Sequence, residues 1–170
     1  KVDPGVPDAA VAPLDDEQRA VLAAGPQEPL ERDPVDPIHY VRTNEPHLER
    51  WFGFIDGLGG GYFGIGADQN YTLLARARSE VAWLMDYDAV VVDVHRVYRA
   101  LILASPTPEE FAARWADGKK DEAFAILEAA HPPGETLDEL KRIYRSTQGQ
   151  LSTYFKECLQ RRRERYTTSW

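Results

Sequence analysis

The chain has one cysteine, Cys158, and so cannot form an internal disulfide. Cys158 falls among Tyr154, Phe155 and Leu159 on the apolar side of a helical stretch, where a buried structural thiol is expected rather than a nucleophile. No apolar run approaches the roughly 20 residues that a membrane helix needs. The longest, Ala89–Ala104, is interrupted by Asp93, His95, Arg96 and Arg99. Positive charge is also scarce. The net charge is −8, and residues 1–36 account for most of it with nine acids against three bases. The remainder is close to neutral and has no net basic surface for nucleic acid. Arg161–Arg163 with Arg165 form the one basic cluster, placed where a helix end favours cations. His39, His47, His95 and His131 lack the spacing of metal ligands, and no Gly-x-Ser-x-Gly or P-loop pattern occurs.

Length and composition suit one globular domain: 170 residues, 43% apolar and 28% charged. Residues 1–37 are set apart by seven prolines amid alanine and aspartate, a composition that builds no core of its own. They read as an arm or linker with one short helix at Asp15–Ala24. The arm resembles the spacer behind a signal sequence or lipid anchor in exported bacterial proteins, and it equally suits an arm packed on the domain.

From residue 38 onward the periodicity alternates between helix and strand. Leu48, Trp51, Phe52 and Ile55 predict a helix over 45–57. Strands are predicted at 61–66 and 81–86, with a helix from Tyr71 to Arg78 between them. Val81-Ala82-Trp83-Leu84-Met85 has the look of a strand buried on both faces. Helices follow at 89–104, 108–116 and 119–130. Thr136 and Glu139 make a capping-box pattern that opens a long C-terminal helix, which Gly149 would weaken.

The unit at 61–86 holds the chemistry. Strand, glycine loop, helix and a second strand ending in an acid make the opening of a nucleotide-type α/β domain. Gly64 and Gly66 permit a tight turn and close approach of a ligand to the helix start. Asp86 follows Gly64 by 22 residues, near the offset of an acid that binds ribose hydroxyls, and Asp88 is a second candidate. Gln69 stands where a third glycine would complete Gly-x-Gly-x-x-Gly. Asp68 in the loop would repel a pyrophosphate. S-adenosylmethionine, with a cationic sulfur and ammonium and no phosphate, suits an acidic loop better. Asp68 and Asn70 have an alternative role as caps of the helix they precede.

Thr43-Asn44-Glu45, Gly61-Tyr62-Phe63-Gly64-Ile65-Gly66-Ala67-Asp68-Gln69-Asn70-Tyr71-Thr72, Met85-Asp86 and Tyr98-Arg99-Ala100-Leu101 together resemble a family of uncharacterised bacterial proteins with a Rossmann-like, methyltransferase-type domain. The resemblance spans residues 40–115, and Gly64-x-Gly66-x-x-Gln69-Asn70 is its most specific part. Ala67-Asp68 stands where the family has Pro-Glu, and Tyr87-Asp88 where it has Ile-Arg. The resemblance implies an α/β fold of which residues 38–170 are the first half, mostly helical with a short parallel strand pair. It implies Gly64, Gly66, Asp68, Gln69, Asn70 and Asp86 as residues lining S-adenosylmethionine or a related adenosine ligand, with no catalytic base to be named. The alternative is a non-catalytic binding or scaffold domain that kept the fold. With only two strands, the sheet is expected to need partners, either the remainder of its own domain or a second chain.

Overall fold

The computed structural model describes residues 15–25 and 39–167, with the backbone alone at residue 22 and at residues 162–167. The chain divides into two compact units, Lys1–Leu30 and Glu31–Trp170. In the first, α1 (Asp16–Ala23) starts at a reciprocal cap: the Asp15 carboxylate accepts from Gln18 N–H and the Gln18 side chain accepts from Asp15 N–H. Most of the Pro-rich arm expected at 1–37 lies outside the described residues.

The second unit is mixed, mostly helical with a two-stranded parallel sheet. Its order is α2 (Glu49–Ile55), β1 (Gly61–Ile65), α3 (Gln69–Ala77), β2 (Val81–Met85), α4 (Ala89–Leu103), α5 (Pro108–Ala113), α6 (Lys120–Ala130) and α7 (Glu135–Thr167). β1 and β2 pair in parallel, with Gly61 opposite Val81 and Ile65 opposite Met85. No helix among the described residues is long and apolar enough to cross a membrane.

The core lies among the helices. α4 places Val94, Val97, Tyr98 and Leu101 against Leu127 of α6 and Leu140, Tyr144 and Leu151 of α7. Tyr98 and Trp115 are fully enclosed, and Trp115 stacks on Tyr144 at 5.1 Å. Rings this large dominate the apolar area removed from water. The Tyr98 hydroxyl donates to the Val41 carbonyl at 2.7 Å, which ties residues 41–43 to the core. α4 itself starts at Asp88, whose carboxylate accepts from Val90 N–H.

Four local expectations need correction. α2 begins only at Glu49, because Pro46 and a left-handed His47 (φ 64°) precede it. α7 begins at Glu135, so Thr136 lies inside the first turn and is not its cap; the helix then runs unbroken through Gly149. Cys158 is half-buried rather than enclosed. Neither strand is buried on both faces. The face carrying Tyr62 and Gly64 lies under α3, through Asn70. On the other face Phe63 stacks flat on Trp83 at 4.7 Å, and Phe63, Ile65 and Met85 are 68%, 69% and 48% exposed.

Candidate functional site at the strand ends

Gly66 directly follows β1, and its N–H donates to Met85 O at 3.3 Å, so the loop after β1 and the Asp86 end of β2 lie side by side. Gly66 takes φ +84°, which favours a residue without Cβ. Gly64 is needed for space: a Cβ there would lie 2.1 Å from Asn70 Oδ1.

Asn70 holds the loop. It is 2% exposed. Its Nδ2 donates to the carbonyls of Ile65, Gly66 and Ala67 at 3.1, 3.2 and 2.9 Å, and its Oδ1 accepts from the Tyr62 hydroxyl at 2.8 Å. Buried polar groups persist when their hydrogen-bonding capacity is met in this way. Gln69 adds a donation from Nε2 to Ile65 O at 3.0 Å, while its Oε1 is buried without a partner among the described residues.

Asp68 precedes α3 but does not cap it with its side chain. Its Oδ1 instead accepts from Thr43 N–H at 2.6 Å and its Oδ2 from the Tyr154 hydroxyl at 2.8 Å. One carboxylate thus joins the entering chain, the glycine loop and α7. Burial, with the Asp68 charge beside it, holds the Tyr154 hydroxyl protonated far above the usual tyrosine range. The hydroxyl therefore remains a donor. Arg42 lies over the same tyrosine ring, 5.3 Å from its centroid.

His95, on the buried side of α4, closes the loop from below. Its Nε2 lies 2.7 Å from Gly66 O and its Nδ1 2.9 Å from the Tyr71 hydroxyl. A carbonyl can only accept, so Nε2 carries the hydrogen and Nδ1 accepts from Tyr71. Burial lowers the His95 pKa, outweighing the opposing effects of the Gly66 carbonyl and of Asp86 and Asp68. The unfolded chain therefore binds this proton more readily than the folded one. Stability should fall as pH drops below 6.5, the ordinary value, toward the folded pKa. Urea unfolding of wild type and His95→Gln across about pH 5 to 8 checks this. The wild-type curve should bend downward on the acid side relative to the variant; parallel curves would refute it.

Asp86 is half-buried, with Oδ1 accepting from Asp88 N–H at 2.9 Å; no described residue bonds its Oδ2. Asp88 is spent differently, with one oxygen on Val90 N–H and the other 2.7 Å from His39 Nδ1. Of the residues singled out in sequence, Gly64, Gly66, Asp68, Gln69 and Asn70 form one network at the loop, and Asp86 adjoins it. Tyr71, Tyr154 and His95 were not read as members. His95 shares the helical stripe of Val91, Val94 and Tyr98, which marks it as inward-facing. Nothing in local spacing pairs Tyr154 with a residue 86 positions earlier. Asn44 and Glu45 are exposed, and Glu45 lines, together with Gln69 of the loop network, a cavity of about 400 Å³ between α2, β1 and α3. Among the described residues no cluster of three or more His, Cys, Asp or Glu side chains could hold a metal ion.

The chain is a member of the family described as a domain of unknown function, DUF7790, which matches residues 40–170. No curated protein matches it.

Proposed function

We propose that the strand ends form a methyltransferase-like, Rossmann-type site for S-adenosylmethionine or a related adenosine ligand. The observation that carries the reading is the juxtaposition of Gly66 and Asp86 at the ends of two parallel strands joined through α3. Ligands of open α/β sheets bind outside such ends. The second Asp86 oxygen bonds no described residue and would meet the ribose hydroxyls. The acidic pair Asp68 and Asp86 suits a cationic ligand and opposes a pyrophosphate. The residues fit the group in this chemical sense: Gly66 would admit it, Gln69 would flank it and Asp86 would hold its sugar, while the space beside Gly64 is taken by Asn70 and Tyr62. Bound S-adenosylmethionine would supply an electrophilic methyl group, and this chain's part is to bind and orient it.

A second reading, a binding or scaffold domain without the cofactor, is favoured by the occupation of Asp68 and Asn70. Both spend their polar atoms on the protein itself. Thermal unfolding with S-adenosylmethionine, S-adenosylhomocysteine or adenosine separates the two, because a ligand of the native state raises its stability. The first reading expects a rise in Tm that Asp86→Ala removes while leaving the ligand-free fold intact. No rise with any of the three would favour the scaffold, and an equal rise in the variant would reject Asp86 as the sugar-binding acid.

A further inference from the structure

Helix α2 spans the side of α3 without burying any of its own residues. Both ends of the span are fixed. Before α2, Thr43 N–H donates to Asp68, the residue that precedes α3. After α2, Gly57 N–H donates to Arg76 O at 3.0 Å and Gly59 N–H to Ala77 O at 2.7 Å, both in the last turn of α3. Gly57 and Gly59 reach these carbonyls with φ of 72° and 70°. Asp56 adds an ion pair to Arg76 at 3.5 Å. This frame holds α2 off α3, and the space behind it is the cavity of about 400 Å³. Small-molecule sites are mostly preformed pockets of about 300–1,000 Å³.

The wall is apolar and carries one charge. Leu48, Trp51 and Ile55 line it from the α2 side, Leu73 from α3, and Leu58 from the loop before β1. Its polar members differ in what they have left to offer. The Tyr62 hydroxyl is committed to Asn70, and Gln69 Nε2 to Ile65 O. The Glu45 carboxylate has no partner among the described residues. No described Lys, Arg or His lines the cavity. An anion entering it would meet Glu45 without a counter-charge, whereas a cation would find a carboxylate. Glu45, Trp51 and Leu58 are exposed and so mark the mouth.

We propose that the cavity between α2 and α3 binds a small amine with an apolar ring. The ring enters among Leu48, Ile55 and Leu73, and the ammonium stays at the mouth on Glu45. Trp51 and Tyr62 give the wall aromatic surface, on which a ring packs well. Apolar walls offer water few hydrogen bonds, so an apolar guest replaces it at little cost. The site stands apart from the adenosine-ligand reading, because Asp86 is not in this wall.

The test is a titration of the 170-residue chain, followed by amide NMR shifts. The probes share one ring and differ in charge: tryptamine is a cation, indole-3-ethanol neutral and indole-3-propionate an anion. Tryptamine should bind tightest, with Kd below about 1 mM, and indole-3-propionate weakest. The shifts should centre on Leu48, Ile55 and Leu73. Glu45→Gln should weaken tryptamine roughly threefold to tenfold and leave indole-3-ethanol unchanged. Glu45 is exposed, so this variant should keep the wild-type Tm. Four results would each overturn the proposal. They are no shift at these residues with tryptamine at about 5 mM, indole-3-propionate binding as tightly as tryptamine, and an unchanged tryptamine affinity in Glu45→Gln. The fourth is a set of shifts centred on Phe63 and Trp83 of the bare sheet face, or on Gly66 and Asp86 at the strand ends.

Discussion

Replacing Gly64 by alanine should cost about 3 kcal/mol and lower Tm by roughly 10 °C. The added Cβ would stand 2.1 Å from Asn70 Oδ1, 2.6 Å from Asn70 Cγ and 2.7 Å from Tyr62 Cε1. No rotamer of the new methyl exists to relieve this, and Asn70 has no slack, since every polar atom of its side chain is bonded. Something in the clamp must therefore move. Overpacking of a tight interior costs about 1–3 kcal/mol, and displacing a buried hydrogen-bonded amide adds about 1–3 more. Two companion variants calibrate the result. Gly66→Ala should cost about 1–2 kcal/mol, because its φ of +84° is unfavourable to alanine while the nearest atom, Gln69 Nε2 at 2.9 Å, ends a flexible side chain. Gly53→Ala, within α2 and with nothing within 4 Å, should be neutral or slightly stabilising. Denaturant unfolding of the three gives the order directly. A Gly64→Ala loss below about 1 kcal/mol would mean that the clamp is not packed as described.

The two glycines illustrate what could be read from the sequence. Gly66, between an apolar run and a helix, was legible as a turn next to a strand, whereas Gly64 lies within β1 and is required for space beside Asn70 and not for a turn. The strand bounds came within one residue, because Gly59–Gly61 and Glu80 bracket the runs sharply. The stripe Val90, Val94, Val97, Tyr98 and Leu101 likewise marks α4, since burial at helical spacing has one simple solution. What the pattern did not contain was direction within the loop. Asn70 and Asp68 stand where caps or ligand contacts would stand, and both roles ask for the same residue types. Only the fold decides that the Asn70 amide turns back on three carbonyls, and that Asp68 reaches Thr43 and Tyr154 instead of α3. The apolar character of β2 was equally ambiguous. Trp83 and Met85 are as hydrophobic as any core residue, but hydrophobicity does not say whether the covering element is present. In this structure it leaves one sheet face bare.

Asn70→Asp should cost about 3 kcal/mol or more at neutral pH, although the two side chains have nearly the same shape. The change replaces the Nδ2 donor by an oxygen facing the carbonyls of Ile65, Gly66 and Ala67, all acceptors. Tyr62 can still donate to the retained oxygen, so the loss is confined to the loop side. The ionised form is disfavoured in the folded state by burial and by the three carbonyl dipoles, which raises its folded pKa above the unfolded value of about 3.9. At pH below that value both states are neutral, and the protonated acid restores one donor to the loop. As pH rises through 4 the unfolded state ionises first, so the variant loses stability with rising pH until the folded pKa is passed. Asn70→Leu serves as the comparison, because it removes the donor without adding a titrating group and should show a deficit that does not change with pH. Urea unfolding of wild type and both variants at about pH 4 and pH 7 provides the measurement. The expected result is a deficit for Asn70→Asp that widens between the two, beside a constant one for Asn70→Leu. If Asn70→Asp instead tracks wild type at both pH values, the carbonyls of the glycine loop are not held by this amide. The loop's geometry, and with it the placement of Gly66 beside Asp86, would then need another support.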